Sequence, residues 1–431
     1  MNSISFAANS ESNCNGANTQ KLDEVQKREL IAIEQNSSAS SPFVVGINDL
    51  SSKEYVINAE TNGKTLPIKA IRFPSSIQPS LGTVVYFCGG PSQCMDGRRN
   101  NVPNGYDVVT FDYIGIGKNT LGPATPELMS LESQGLAAKK IIQALKLSNY
   151  IIYGHSFGTT VATVTASLIG KDNKLKQPKS VILEGVIGPR QTDSNGYYLT
   201  AERVWELLSI EEKVLLKKAI KECRTELKGD ESNLDRYLTQ SLWDGPKTTV
   251  QFLRKWIKLP ADQRIKEVLN QSSQDFDNPN KLYERMYRSA GCQASSNNGD
   301  NRHPSFFDGL VKNIYAVGGY CDCRSINRDY DPKDFPIKAP LIYINGEYDP
   351  ATPIKNAKLH FKSQTSSAEK IFITVKDGGH IGTWRELASC TDLFFQAGFS
   401  GSTQALNNRK DFSKGCNDQQ LPLSQQIIQN Q

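Results

Sequence analysis

The sequence predicts an α/β fold, a mostly parallel sheet with helices on both faces, carrying an inserted helical region. Three observations lead there. Short apolar runs recur and often end in glycine, as in "GTVVYFCGG" (82–90), "YDVVTFDYIGIG" (106–117) and "NYIIYG" (149–154). Segments with apolar residues three and four apart separate them, and strands alternating with helices build parallel sheets covered on both sides. From about 190 to 335 the strand-like runs stop and helical patterns follow one another.

Taken in order, residues 1–20 read as a disordered N-terminus and "KLDEVQKRELIAIEQ" (21–35) as a short helix. "SKEYVINAE" and "LPIKAIRFP" form a hairpin-like pair of strands ahead of the buried strands at 82–90 and 106–117. A helix at 132–147 leads to the strand at 149–154, then a bend, a small-residue helix "GTTVATVTASLI", and the strand "KSVILEGV" (179–186). The insertion contains "AERVWELLSIEEKVLLKKAIKEC", "NLDRYLTQSLW", "TTVQFLRKWIKL" and "KLYERMYRS", with no strand between them, and is expected to be an all-helical cap over the sheet edge. Strands resume at "APLIYINGEYD" (339–349) and "EKIFITVKDGGH" (369–380). The expected domains are therefore core at 21–189, cap at 190–335, and core again at 336–431 with a disulfide-bearing C-terminal tail.

Composition narrows the function classes. With 431 residues, a hydrophobic fraction of 38% and a formal charge of +5, the chain has the balance of an ordinary globular protein. Acidic and basic residues are mixed, so no nucleic-acid surface is indicated; the densest basic run, "KDNKLKQPK" (171–179), reads as a solvated loop. No stretch reaches the roughly 20 apolar residues of a membrane helix. The N-terminus lacks the basic and apolar regions of a signal peptide.

Of nine cysteines, Cys292, Cys321, Cys323, Cys390 and Cys416 sit in loop-like sequence. Zinc binding wants C-x-x-C pairs or nearby histidines, and the chain has "CDC" and four histidines in all, so no metal site is expected. Disulfides in loops fit better, which implies an oxidising compartment and a secreted or periplasmic protein whose leader was removed. An odd count leaves a free thiol, and Cys88, at an apolar strand end, is the expected one.

The bend after 149–154 carries the chemistry. "GHSFG" (154–158) places Ser156 between glycines at a strand-to-helix turn, the arrangement that exposes a strained nucleophilic serine. A serine hydroxyl needs a base. His155 should point away around the bend, His303 lies in a polar loop, and His360 reads as a surface residue of a helix. His380 alone follows a core strand, with two glycines before it to bend the loop, and is the expected base. Its orienting acid is Asp349, favoured over Glu347 because Pro350 fixes a rigid corner after it. The Phe157 N–H, at the helix N-terminus, and the Gly90 N–H, in "CGGPSQ", are the expected oxyanion donors. The order Ser, Asp, His is that of the α/β-hydrolases, the predicted fold class.

These motifs together resemble the prolyl aminopeptidase and secreted tripeptidyl aminopeptidase group of α/β-hydrolase serine peptidases. "CGGPSQ" is similar to their G-G-P-G loop, "FDYIGIGKN" to their D-x-R-G-x-G-x-S segment, and "GHSFGT" to their nucleophile elbow. "LEGVIGP", "APLIYINGEYDPATP" and "GGHIG" complete the likeness over 80–190 and 335–416, together with a C-terminal region flanked by Cys390 and Cys416. Ser92, Ile114 and Asn119 depart from the pattern, at a Gly, an Arg and a Ser respectively. The resemblance implies cofactor-free hydrolysis of peptide bonds near a free N-terminus, in a peptide or small protein, with acidic cap residues holding the ammonium group. Glu184 and cap residues such as Glu202, Glu206 or Glu284 are the candidates, but each reads first as an ordinary surface carboxylate, and the substrate-binding set stays unknown. The alternatives are a carboxylesterase or lipase and, last, a non-catalytic binding protein.

Overall fold

The computed structural model describes residues 52–90, 94–95, 102–120, 126–189, 196–228, 230–275, 305–312, 328–381, 391–407 and 426–428. The expected helix at 21–35 and the helical pattern at 281–289 lie outside these residues.

Alternation shapes the first two strands. In β1 (Lys53–Thr61) and β2 (Lys64–Phe73), Ile57 and Ala59, and Ile68 and Ala70, recur with period two and face the core. Asn62 and Gly63 join them with φ of 46° and 73°, the left-handed pair that a two-residue hairpin needs. The next strands are continuous runs instead. β3 (Thr83–Phe87), β4 (Asp107–Phe111), β5 (Tyr150–His155) and β6 (Val181–Glu184) are buried at every position, as is β9 (Leu341–Gly346). With β10 (Lys370–Val375) and β11 (Gln426–Ile428) they form one sheet in the order β1-β2-β4-β3-β5-β6-β9-β10-β11. From β4 to β10 every pairing is parallel, while β1, β2 and β11 join antiparallel at the edges. The parallel run puts the exits of β3, β5, β6, β9 and β10 along one rim.

Crossover helices cover the faces. α1 (Leu131–Ala144) begins at Ser130, whose side chain caps the Ser133 N–H. α2 (Gly158–Gly170) is buried nearly all round, so its Thr160, Thr163 and Thr165 hydroxyls donate to carbonyls one turn back in the helix.

Between β6 and β9 lie α3 (Gly196–Leu207), α4 (Ile210–Glu226), α5 (Glu231–Ser241), α6 (Pro246–Trp256) and α7 (Ala261–Asp275). They bury their own apolar cluster, including Val204, Ile220, Leu238, Leu253 and Trp256, distinct from the cluster of the sheet. The region is not all helix. β7 (Ser305–Phe306) and β8 (Val311–Lys312) pair antiparallel and send Phe306, Phe307 and Val311 into that cluster. Two-residue strands are too short to show a period, which hid them from the sequence.

His360 corrects a second expectation. It lies on the inner face of α8 (Ile354–Ser363), three residues from buried Ala357, and is fully buried. Its Nε2 lies 3.1 Å from Thr163 Oγ1 and 3.0 Å from Tyr330 Oη, and its Nδ1 2.9 Å from Tyr343 Oη. Hydroxyl partners supply hydrogen bonds without charge, so burial drives its pKa down from 6.5 to about 3. Between these values the unfolded chain takes up a proton that the folded chain refuses. The stabilisation is therefore whole above pH 6.5 and is lost as pH falls toward 3. We expect this group to remove about 2 kcal/mol of stability between pH 7 and 5. Urea unfolding of the wild type and His360→Gln across that range checks it, since the variant should fall less steeply.

Candidate active site

The β5–α2 turn holds Ser156 at φ 51°, a left-handed conformation that costs a non-glycine residue energy. Its N–H donates to the Glu184 carbonyl at 2.8 Å, and its own carbonyl accepts the Thr159 N–H and hydroxyl at 2.9 and 2.7 Å. Sharpness demands glycine on the far side. A Cβ on Gly158 would lie 2.1 Å from the Phe87 carbonyl oxygen, so the start of α2 rests directly on the end of β3. Phe157 caps α2 without any side-chain bond, and among the described residues its N–H has no acceptor. That donor stands at the positive end of the helix.

Asp349 lies just beyond β9 and is buried, as is His380, beyond β10. The His380 Nδ1 lies 2.8 Å from Asp349 Oδ2 and 2.9 Å from Oδ1. Pro350 has no N–H to offer, and the next two residues turn theirs inward. Ala351 N and Thr352 N donate to Oδ1 at 2.9 and 2.7 Å, and the Thr352 hydroxyl donates to Oδ2 at 2.6 Å. Glu347 is elsewhere: it is exposed, and its carboxylate accepts the Asp377 N–H at 3.1 Å. The other ring nitrogen of His380, Nε2, is buried and unbonded among the described residues, and no hydrogen bond joins it to Ser156. Ring and serine nevertheless flank one strand exit. A Cβ on Gly185 would meet His380 Cε1 at 3.1 Å, and the preceding residue, Glu184, binds the Ser156 N–H.

The insertion reaches this histidine. The Trp243 carbonyl accepts the His380 N–H at 2.8 Å, and the indole meets the imidazole edge-to-face with centroids 4.9 Å apart. Gly379 is needed for that approach, because its Cβ would lie 2.3 Å from both Trp243 O and Gly245 N. Asp377, in the same loop, pairs with Lys247 of α6 at 2.7 Å and with Arg203 of α3 at 3.8 Å. The sequence reading missed Trp243 and Thr352. Thr352 had a signal, the "DPAT" turn that brings a hydroxyl back to the aspartate; Trp243 had only the Gly-Pro break after "LWD".

Gly90 follows the exit of β3 with φ 120°, and among the described residues its N–H has no acceptor. Cys88 is not the free thiol expected. It is bonded to Cys94, with Cα atoms 5.7 Å apart. The chain returns because the buried Asp112 carboxylate accepts the Cys94 and Met95 N–H groups at 2.6 and 2.8 Å, a contact no local pattern announces. Cys223, buried in the insertion, is the reduced cysteine among the described residues. Cys292, Cys321, Cys323, Cys390, Cys416, His303, Ser92 and Glu284 lie outside them.

Of the remaining candidates, Glu184 is buried and accepts the Tyr153 hydroxyl at 2.6 Å, so it is no surface carboxylate. Glu202 is half-buried and Glu206 pairs with Arg203 at 3.0 Å. Ile114 is buried, its N–H bonded to Gln134. Asn119 ties the loop to β2 through both the N–H and the carbonyl of Lys69. Among the described residues no His, Cys, Asp and Glu cluster is arranged to hold a metal, and no helix is long and apolar enough to cross a membrane.

A family model described as alpha/beta hydrolase fold matches residues 56–180. The architecture is the α/β-hydrolase fold. That fold supports a hydrolase. No curated protein matches the chain. Solved structures similar to it include a thermophilic esterase from Thermogutta terrifontis, with 13% identity over 81% of this chain and 100% of the other and a TM-score of 0.43. The proline iminopeptidase of Mycobacterium smegmatis is 15% identical over 83% of this chain and 99% of the other, with a TM-score of 0.41. An enzyme from a Medee basin deep-sea metagenome library, MGS-M2, is 14% identical over 78% and 95%, with a TM-score of 0.42.

The close approach at the elbow makes a stability prediction independent of any substrate. Gly158→Ala should cost about 1–3 kcal/mol, because the methyl meets main chain and not a movable side chain. Thermal denaturation against the wild type measures it, and an unchanged midpoint would refute the packing described.

Proposed function

We propose that this protein is a serine exopeptidase of the aminopeptidase type, acting on peptides or small proteins with a free N-terminus. The observation that carries the hydrolytic part is His380. It is held by Asp349 through Nδ1, with Nε2 buried and, among the described residues, unbonded, at the rim where strained Ser156 stands. In the reaction, Ser156 Oγ attacks the substrate carbonyl carbon as its proton passes to His380 Nε2. The Phe157 and Gly90 N–H groups meet the oxyanion. Collapse breaks the peptide bond, His380 hands the proton to the departing amine, and an acyl-serine remains. Water, deprotonated by His380, attacks that ester, and the regenerated Ser156 takes the proton back.

The peptidase part is supported by sequence motifs: Gly-Gly-Pro following β3, the Gly-His-Ser-Phe-Gly turn, and Asp-Pro-Ala-Thr after β9. A secreted or periplasmic location is supported by the Cys88–Cys94 disulfide.

A fluorophosphonate probe should label the wild type and not Ser156→Ala. Asp349→Asn should lower kcat by about 10⁴-fold, since it leaves the imidazole in the wrong tautomer. Aminoacyl- and tripeptidyl-anilides, assayed beside short p-nitrophenyl esters, test the bond that is cut. Turnover of the esters alone would assign an esterase.

A further inference from the structure

His155 takes no part in the proton relay, yet it is buried and engaged at both ring nitrogens. The Gly89 N–H donates to its Nε2 at 2.9 Å, and Tyr86 Oη lies 2.9 Å from its Nδ1. A backbone N–H can only donate. Nε2 must therefore offer its lone pair, and the neutral ring carries its proton on Nδ1, toward the Tyr86 oxygen. Tyr86 also stacks on the imidazole, with centroids 5.6 Å apart and planes at 25°. The ring's direction is thus fixed from β3, the strand that leads into the oxyanion loop.

That loop needs an external hold. Its donor, the Gly90 N–H, belongs to a peptide flanked by two glycines, where no Cβ restricts rotation. Its outer ends are tied by the Cys88–Cys94 bond, by the Tyr113 hydroxyl on the Cys88 carbonyl at 2.6 Å, and by Asp112 at Cys94. Next to the donor peptide stands the Gly89–His155 hydrogen bond. Contact there is tight: a Cβ on Gly89 would lie 2.9 Å from both His155 Nε2 and Ser156 Cβ. One dipeptide, His155-Ser156, thus supplies the nucleophile and the hook for the loop opposite it.

We propose that His155 is a positioning residue that sets the aim of the Gly90 N–H at the oxyanion. The proposal rests on the reading of Ser156 as nucleophile. Matched p-nitrophenyl esters and thionoesters test it, because sulfur accepts hydrogen bonds poorly and gains little from an oxyanion donor. His155→Phe should lose about 10–100-fold in kcat on the ester, with KM and the thionoester rate little changed, so the ester-to-thionoester ratio falls. His155→Gln, whose Oε1 can accept the Gly89 N–H, should restore most of the ratio. If His155→Phe does not fold, His155→Leu and the milder Tyr86→Phe make the same comparison.

Fluorophosphonate labelling of each protein separates the two ways of failing. A wild type that is not labelled at Ser156 overturns the nucleophile and this role with it. A labelled wild type whose ester-to-thionoester ratio survives in folded His155→Phe or His155→Leu overturns the role of His155 alone.

Discussion

Asp349 and His380 are buried as deeply as core leucines, at 1% and 2% exposure, and such a pair survives folding only if donors replace the lost water. The Ala351 and Thr352 N–H groups and the Thr352 hydroxyl do so on one side of the carboxylate, and the imidazole does so on the other. Much of the architecture follows from that requirement. The aspartate must stand where a strand has ended and backbone N–H groups are free to turn inward. The histidine must arrive from the neighbouring strand at the same height, which the parallel pairing of β9 and β10 guarantees.

The inserted helices are part of this arrangement. Trp243 receives the His380 N–H and faces its ring, while Lys247 and Arg203 hold Asp377 three residues earlier in the same loop. The insertion has its own apolar cluster, so it presents a firm surface to the loop. Main chain, ring and charge from a second set of elements thus fix the loop that carries His380. The loop after β3 is held on the same plan, with a disulfide and the buried Asp112 carboxylate at its ends and the His155 imidazole on the Gly89 N–H.

What could be read without coordinates followed chemistry that repeats. Unbroken apolar strands announced the parallel sheet, because only strands covered on both faces can be apolar throughout. The strained turn at Ser156 was legible because its sharpness forces glycines around it, and the corner at Asp349 because Pro350 follows it. Where the structure departs from the sequence pattern, one cause recurs. The sequence neighbours of His360, Glu184 and Cys88 say nothing of their partners, which come from far along the chain: Tyr330 and Thr163, Tyr153, and the Asp112-anchored return to Cys94.

Sequence by itself determined which stretches become buried strands, which residue types stand at their ends and the backbone freedom of the turns. These depend on local sterics and on period, which neighbouring residues encode. Only the tertiary structure decided that Thr352 completes the carboxylate's shell, that Trp243 descends on His380, and that His155 turns toward Gly89 and not away from the site. The physical reason is that a buried polar atom must find its partner wherever packing brings one. Where that is depends on how strands and helices meet, which no short window of residues records.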